Sequence, residues 1–87
     1  MRVKRARLRA WRRGFREADL ILGPFADARA GAMSADDLAS FERLLEVEDQ
    51  DLYAWIVGAQ PAPVEFEDAV LAALRDAAWA GAAARGG

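Results

Sequence analysis

Apolar side chains recur along this chain with the spacing of helices. Ala18, Ile21, Leu22 and Phe25 fall at i, i+3, i+4 and i+7, which predicts a helix from Phe15 to about Ala30. Leu38, Phe41 and Leu45, with Leu44 beside them, mark another helix opened by Ser34. There Ser34-Ala35-Asp36-Asp37 has capping-box spacing, with Asp in place of the usual Glu or Gln. Leu52, Trp55 and Ile56 share one face of a short helix that Asp49 is placed to cap and Gly58 to stop. Phe66, Val70 and Leu74 recur every four residues, and Glu65, Glu67 and Asp68 favour a helix N-terminus there through the macrodipole. Upstream, Val3, Leu8 and Trp11 are spaced for a short basic helix over residues 3–12. Neither strand-like alternation nor an internal repeat stands out. The pattern predicts an all-α fold, a compact bundle of about five short helices.

Glycine and proline punctuate that pattern. Gly14 interrupts the first helix, because glycine weakens a helix interior and readily takes positive φ. Gly23-Pro24 sits inside the second helix, where the residue before proline avoids the α region, and so predicts a kink. Ala30-Gly31-Ala32 ends that helix, and Gln60-Pro61-Ala62-Pro63 reads as an extended connector. Residues 1–80 are expected to form a single helical domain, and residues 81–87 a flexible Ala/Gly-rich tail.

Composition removes most chemistry from consideration. The 87 residues suffice for one domain, and they include no His and no Cys. There is no Thr or Asn either, and only Ser34 and Ser40 carry aliphatic hydroxyls. Nucleophilic catalysis needs an activating base beside its nucleophile, so an independent enzyme is disfavoured and no catalytic residue is assigned. Metal ligands reduce to carboxylates, which leaves no metal site beyond weak hard-cation binding. Lack of cysteine fits a reducing compartment. No apolar run reaches the ~18 residues of a membrane span.

Net charge is only −2, but it is divided. Residues 1–16 hold eight of the twelve basic residues and no acid, whereas residues 17–87 carry four basic and fourteen acidic side chains, a balance of −10. The basic arm, MRVKRARLRAWRR, has several readings. It has the charge of a nucleic-acid footprint and one aromatic, against an acidic body that opposes phosphate. It is Arg-rich like a targeting peptide, but lacks Ser and a spacer. It also suits a solvated helix whose arginine stems cover apolar neighbours, or a helix that faces a partner. Glu46, Glu48, Asp49 and Asp51 form an acidic cluster that reads best as helix capping, without EF-hand spacing.

The stretch WRRGFREAD concentrates the candidate binding residues. Arg12, Arg13 and Arg16 flank Gly14, and Glu17 and Asp19 follow within two turns. Local electrostatics supply one reading, a salt-bridged helix end in which Arg13 pairs with Glu17. A contact loop for a partner is the other.

Arg13-Gly14-Phe15-Arg16-Glu17 matches an RGxxE motif. Leu22-Gly23-Pro24-Phe25-Ala26 follows it, and FERLLEVEDQDLYAWI stands at 41–56. On these features the chain resembles the succinate dehydrogenase assembly factor 2 family over roughly residues 5–75, although the family usually has another residue where Pro24 stands. The resemblance implies a five-helix bundle that binds the flavoprotein subunit of succinate dehydrogenase, and in bacteria that of fumarate reductase. It implies promotion of covalent FAD attachment to a histidine of that client, with no cofactor stably bound by the factor itself. Carried over, Arg13, Gly14 and Glu17 become the contact residues, with Asp19 a weaker addition and Arg12 and Arg16 beside them. A small regulatory or nucleic-acid-binding protein using the basic arm is the alternative. With no long presequence, the bacterial cytoplasm is expected rather than the mitochondrial matrix.

Overall fold

The computed structural model describes residues 2–11 and 14–84, with side chains described to residue 80. Five α-helices lie among them: α1 (Arg2–Trp11), α2 (Arg16–Arg29), α3 (Ala35–Leu45), α4 (Asp49–Val57) and α5 (Ala69–Ala84). Short 3-10 turns, Ala30–Ala32 and Val64–Phe66, precede α3 and α5 respectively. No strand occurs among the described residues. The radius of gyration is 11.9 Å, and a single folded body of this length has about 12 Å. The all-α expectation holds.

Local chemistry sets the helix ends. Ser34 Oγ accepts from the Asp37 N–H at 3.1 Å, as the capping-box spacing requires. Asp68 Oδ1 accepts from the Leu71 N–H at 3.0 Å at the start of α5. Gly58 ends α4 at φ +81°, a left-handed conformation that suits glycine. Asp49 does not cap α4. The helix begins one residue earlier than expected: Glu48 occupies the cap position without a side-chain bond, and its carbonyl accepts from Leu52 at 3.0 Å. Asp49 is therefore already helical.

The core is built from the faces the periodicity marked. Leu22, Phe41, Leu44, Leu52, Leu71 and Leu74 are fully buried, bringing α2, α3, α4 and α5 together. Phe25 meets Phe41 edge-on at 5.6 Å. Phe66, counted with the fifth helix by its spacing, belongs instead to the preceding turn, where it packs on Trp55 at 5.2 Å.

Packing accounts for two features that the periodicity alone leaves open. Of the two outcomes that Gly23-Pro24 allows, a kink or a split, the split does not occur: α2 is helical from Arg16 to Arg29 with Pro24 inside it. Its predecessor is Gly23, and without a Cβ that residue escapes much of the clash that normally bars the α region before proline. In α1 the buried residues are Ala6 and Ala10, while Leu8 and Trp11 are exposed. Alanines let the α1 backbone approach its neighbours closely, and the large apolar side chains fall on the flank. Ion pairs complete the attachment: Arg2 to Glu42 at 2.7 Å, Arg9 to Glu46 at 2.7 Å, and Arg7 to Asp27 at 3.1 Å.

Candidate functional site at the corner between the first two helices

Gly14 stands at the corner where α1 gives way to α2. Its φ of +84° lies in the region that disfavours any residue with a Cβ. Among the described residues beyond its chain neighbours, no heavy atom lies within 4 Å of where that Cβ would be, so their packing does not demand the glycine. The backbone conformation does. Phe15 follows in extended backbone at the N-cap of α2, and its ring tilts against Tyr53 at 5.3 Å. That contact braces the corner on α4.

Arg16 and Glu17 open α2 and both are exposed. Neither has an ion pair or side-chain hydrogen bond among the described residues. Glu48, Asp49 and Gln50, from the turn into α4, face them across an open groove of about 390 Å³. The groove's floor and near wall run from Gly14 to Glu17. Arg12 and Arg13 lie outside the described residues. Asp19 does not line the groove: it is half-buried in the first turn of α2, with Oδ1 sealed from solvent and no hydrogen-bond partner among the described residues.

The described lining of this groove is mixed in charge. Glu17, Glu48 and Asp49 set three carboxylates against the Arg16 guanidinium in the described lining.

Gly14, Arg16 and Glu17, marked in the sequence as candidate contact residues, line one groove with three residues that the sequence did not mark as such. Glu48, Asp49 and Gln50 stand within the quoted 41–56 stretch, where the acidic residues read as caps. Their position beside the corner follows from the packing of Tyr53 on α4 against Phe15. The basic arm is more occupied than its charge suggested. Arg2, Arg7 and Arg9 are paired to carboxylates of α2, α3 and the residue after α3, which leaves fewer free guanidiniums for phosphate. Hydrogen bonding from Arg2 holds the Glu42 carboxyl below its ordinary pKa, with the Coulomb attraction of the same pair as a further cause.

Fold and site define a small helical module with an open, glycine-based corner and no histidine or cysteine for chemistry. Residues 4–78 match the family described as flavinator of succinate dehydrogenase, and the chain belongs to that family. The FAD assembly factor SdhE of Acetobacter pasteurianus is 39% identical over 64 residues, covering 74% of this chain and 59% of the relative. SdhE of Colwellia psychrerythraea is 42% identical over 59 residues, covering 67% and 65% respectively. Succinate dehydrogenase assembly factor 2 of Penicillium rubens, a mitochondrial protein, is 39% identical over 61 residues, covering 68% of this chain and 20% of the relative. The chain thus spans about three fifths of the length of the two bacterial relatives it matches here.

Proposed function

We propose that this chain is an assembly factor that binds the flavoprotein subunit of succinate dehydrogenase and promotes covalent attachment of FAD to it. The reading extends to fumarate reductase as a second client in bacteria. One observation carries the proposal: within a chain of the flavinator family, the Gly14 corner is solvent-facing, and Arg16 and Glu17 have no partner among the described residues.

The reacting groups, a histidine and the flavin, belong to the client, and this chain holds no cofactor of its own. Its contribution is conformational. A factor that binds the attachment-competent arrangement of the client preferentially raises that arrangement's population. A shift from 1:99 to 99:1 needs about 5.5 kcal/mol of differential affinity. Gly14 lets the client backbone approach, Arg13 offers a planar fork for a carboxylate or paired carbonyls, and Glu17 orients that fork or accepts from the client. The bacterial relatives favour a bacterial setting. No described helix is long and apolar enough to cross a membrane.

In-gel flavin fluorescence of the denatured flavoprotein subunit tests the proposal, in cells with and without this gene. Loss of the fluorescent band without the gene, and its return on complementation, is the expected result. Equal fluorescence in both strains would overturn the reading.

A further inference from the structure

The last residue of α1 meets the middle of α2 in a contact that helical periodicity does not require. Trp11 lays its ring against Gly23, and a Cβ at position 23 would overlap the indole. The indole N–H donates to Asp27 Oδ2 at 3.0 Å. Asp27 Oδ1 accepts from Arg7 Nε at 3.1 Å. One α2 carboxylate therefore holds two residues placed a turn apart on α1.

The helix α1 has other anchors. Ala6 and Ala10 bury its inner seam, and Arg2 and Arg9 hold its other side to Glu42 and Glu46. The Trp11 contact adds a fixed rotation and depth for the final turn, the turn that leads into Gly14. Trp11 is 43% exposed, so burial alone does not account for its placement.

We infer that Trp11, Gly23 and Asp27 form a latch that sets the final turn of α1 against α2, making them positioning residues for the Gly14 docking corner. The inference rests on the docking function proposed above. Gly23 is buried and cannot touch a client, so any effect of changing it on docking must be transmitted through the latch.

A double-mutant cycle tests this on the full chain, with Gly23→Ala, Trp11→Ala, their combination, and Trp11→Phe. Affinity for the purified flavoprotein subunit is measured by calorimetry, the Gly14 amide is followed by NMR, and thermal melts report the folded fraction. Gly23→Ala is expected to weaken binding by about tenfold, within the usual range of coupling between sites. It should also move the Gly14 cross-peak while the protein stays folded. The double variant should bind no more weakly than Trp11→Ala alone, because the new methyl then meets empty space. Trp11→Phe keeps a ring on Gly23 and loses the N–H, so it should show a smaller loss and a smaller shift. That variant carries the test should Gly23→Ala not fold.

Unchanged affinity, or a stationary Gly14 signal, in a folded Gly23→Ala or Trp11→Phe protein overturns the latch. Additive losses in the double variant also overturn it, and assign the effect of Gly23 to its neighbour Pro24. Gly14→Leu is the reference. If it loses binding while the latch variants do not, only the latch fails; if it too binds normally, the docking function fails first.

Discussion

At the scale of single residues, Gly14 separates two demands that a glycine can meet. One is conformational, since at φ +84° any side chain is strained by about 1–2 kcal/mol. The other is steric and belongs to the proposed client contact, since among the described residues beyond its chain neighbours nothing within 4 Å obstructs a Cβ. Gly14→Ala and Gly14→Leu share the conformational cost, so their difference isolates the steric one. Both should melt lower than the parent, by roughly 4–8 °C per kcal/mol for a domain of this size. Gly14→Leu should bind the flavoprotein subunit far more weakly than Gly14→Ala at matched folded fraction. Equal affinities, measured by calorimetry, would mean that the client does not approach the glycine. The glycine and its flanking charges were legible in the sequence because local backbone rules and a motif both mark them. Tyr53, Glu48 and Gln50 were not, since nothing in their own spacing says that α4 returns to the α1–α2 corner.

At the scale of elements, legibility follows how local each cause is. Ser34 capped α3 as its sequence predicts because the cap and its target are three residues apart. Replacing it with alanine should cost about 1 kcal/mol. A smaller loss in urea unfolding than a few tenths of a kcal/mol would show that solvent replaces the hydroxyl. Helices whose buried stripe carries large side chains, α3 and α4 above all, were readable for the same local reason. Where the deciding partner sits on another element, the pattern is silent. The inner face of α1 is alanine, so its largest apolar residues pointed to the wrong side. Continuity of α2 through Pro24 turns on the missing Cβ of Gly23, and that same absence admits Trp11 from α1. A single residue thus serves the helix and the contact between helices, which a one-dimensional pattern cannot show.

At the scale of the whole molecule, the divided charge of the chain becomes a means of attachment. The basic arm folds onto the acidic body, with Arg2 and Arg9 reaching Glu42 and Glu46, while at the far end Arg75 holds Glu67 with both terminal nitrogens and gives its Nε–H to the Trp55 carbonyl. Hydrogen bonds from Arg2 and Arg75 are the largest cause of the lowered pKa at Glu42 and Glu67 respectively. The sign of the stability effect follows. A carboxylate with a depressed pKa in the folded state contributes fully above its unfolded pKa, about 4.3 for glutamate. That contribution disappears as the pH falls through the lower folded value. The arginine partners remain charged throughout, so acid removes only the anionic half of each pair. Stability should vary little between pH 6 and 8, where a chain without histidine has no side chain of ordinary pKa to titrate. It should decline below about pH 4.3. Glu42→Gln with Glu67→Gln should lower the neutral plateau slightly, since exposed pairs contribute little, and should make the acid decline shallower. Urea midpoints measured across this range decide it: an unaltered acid slope in the double variant would show that other carboxylates, and not these two clamps, connect the arm and α5 to the stability of the bundle.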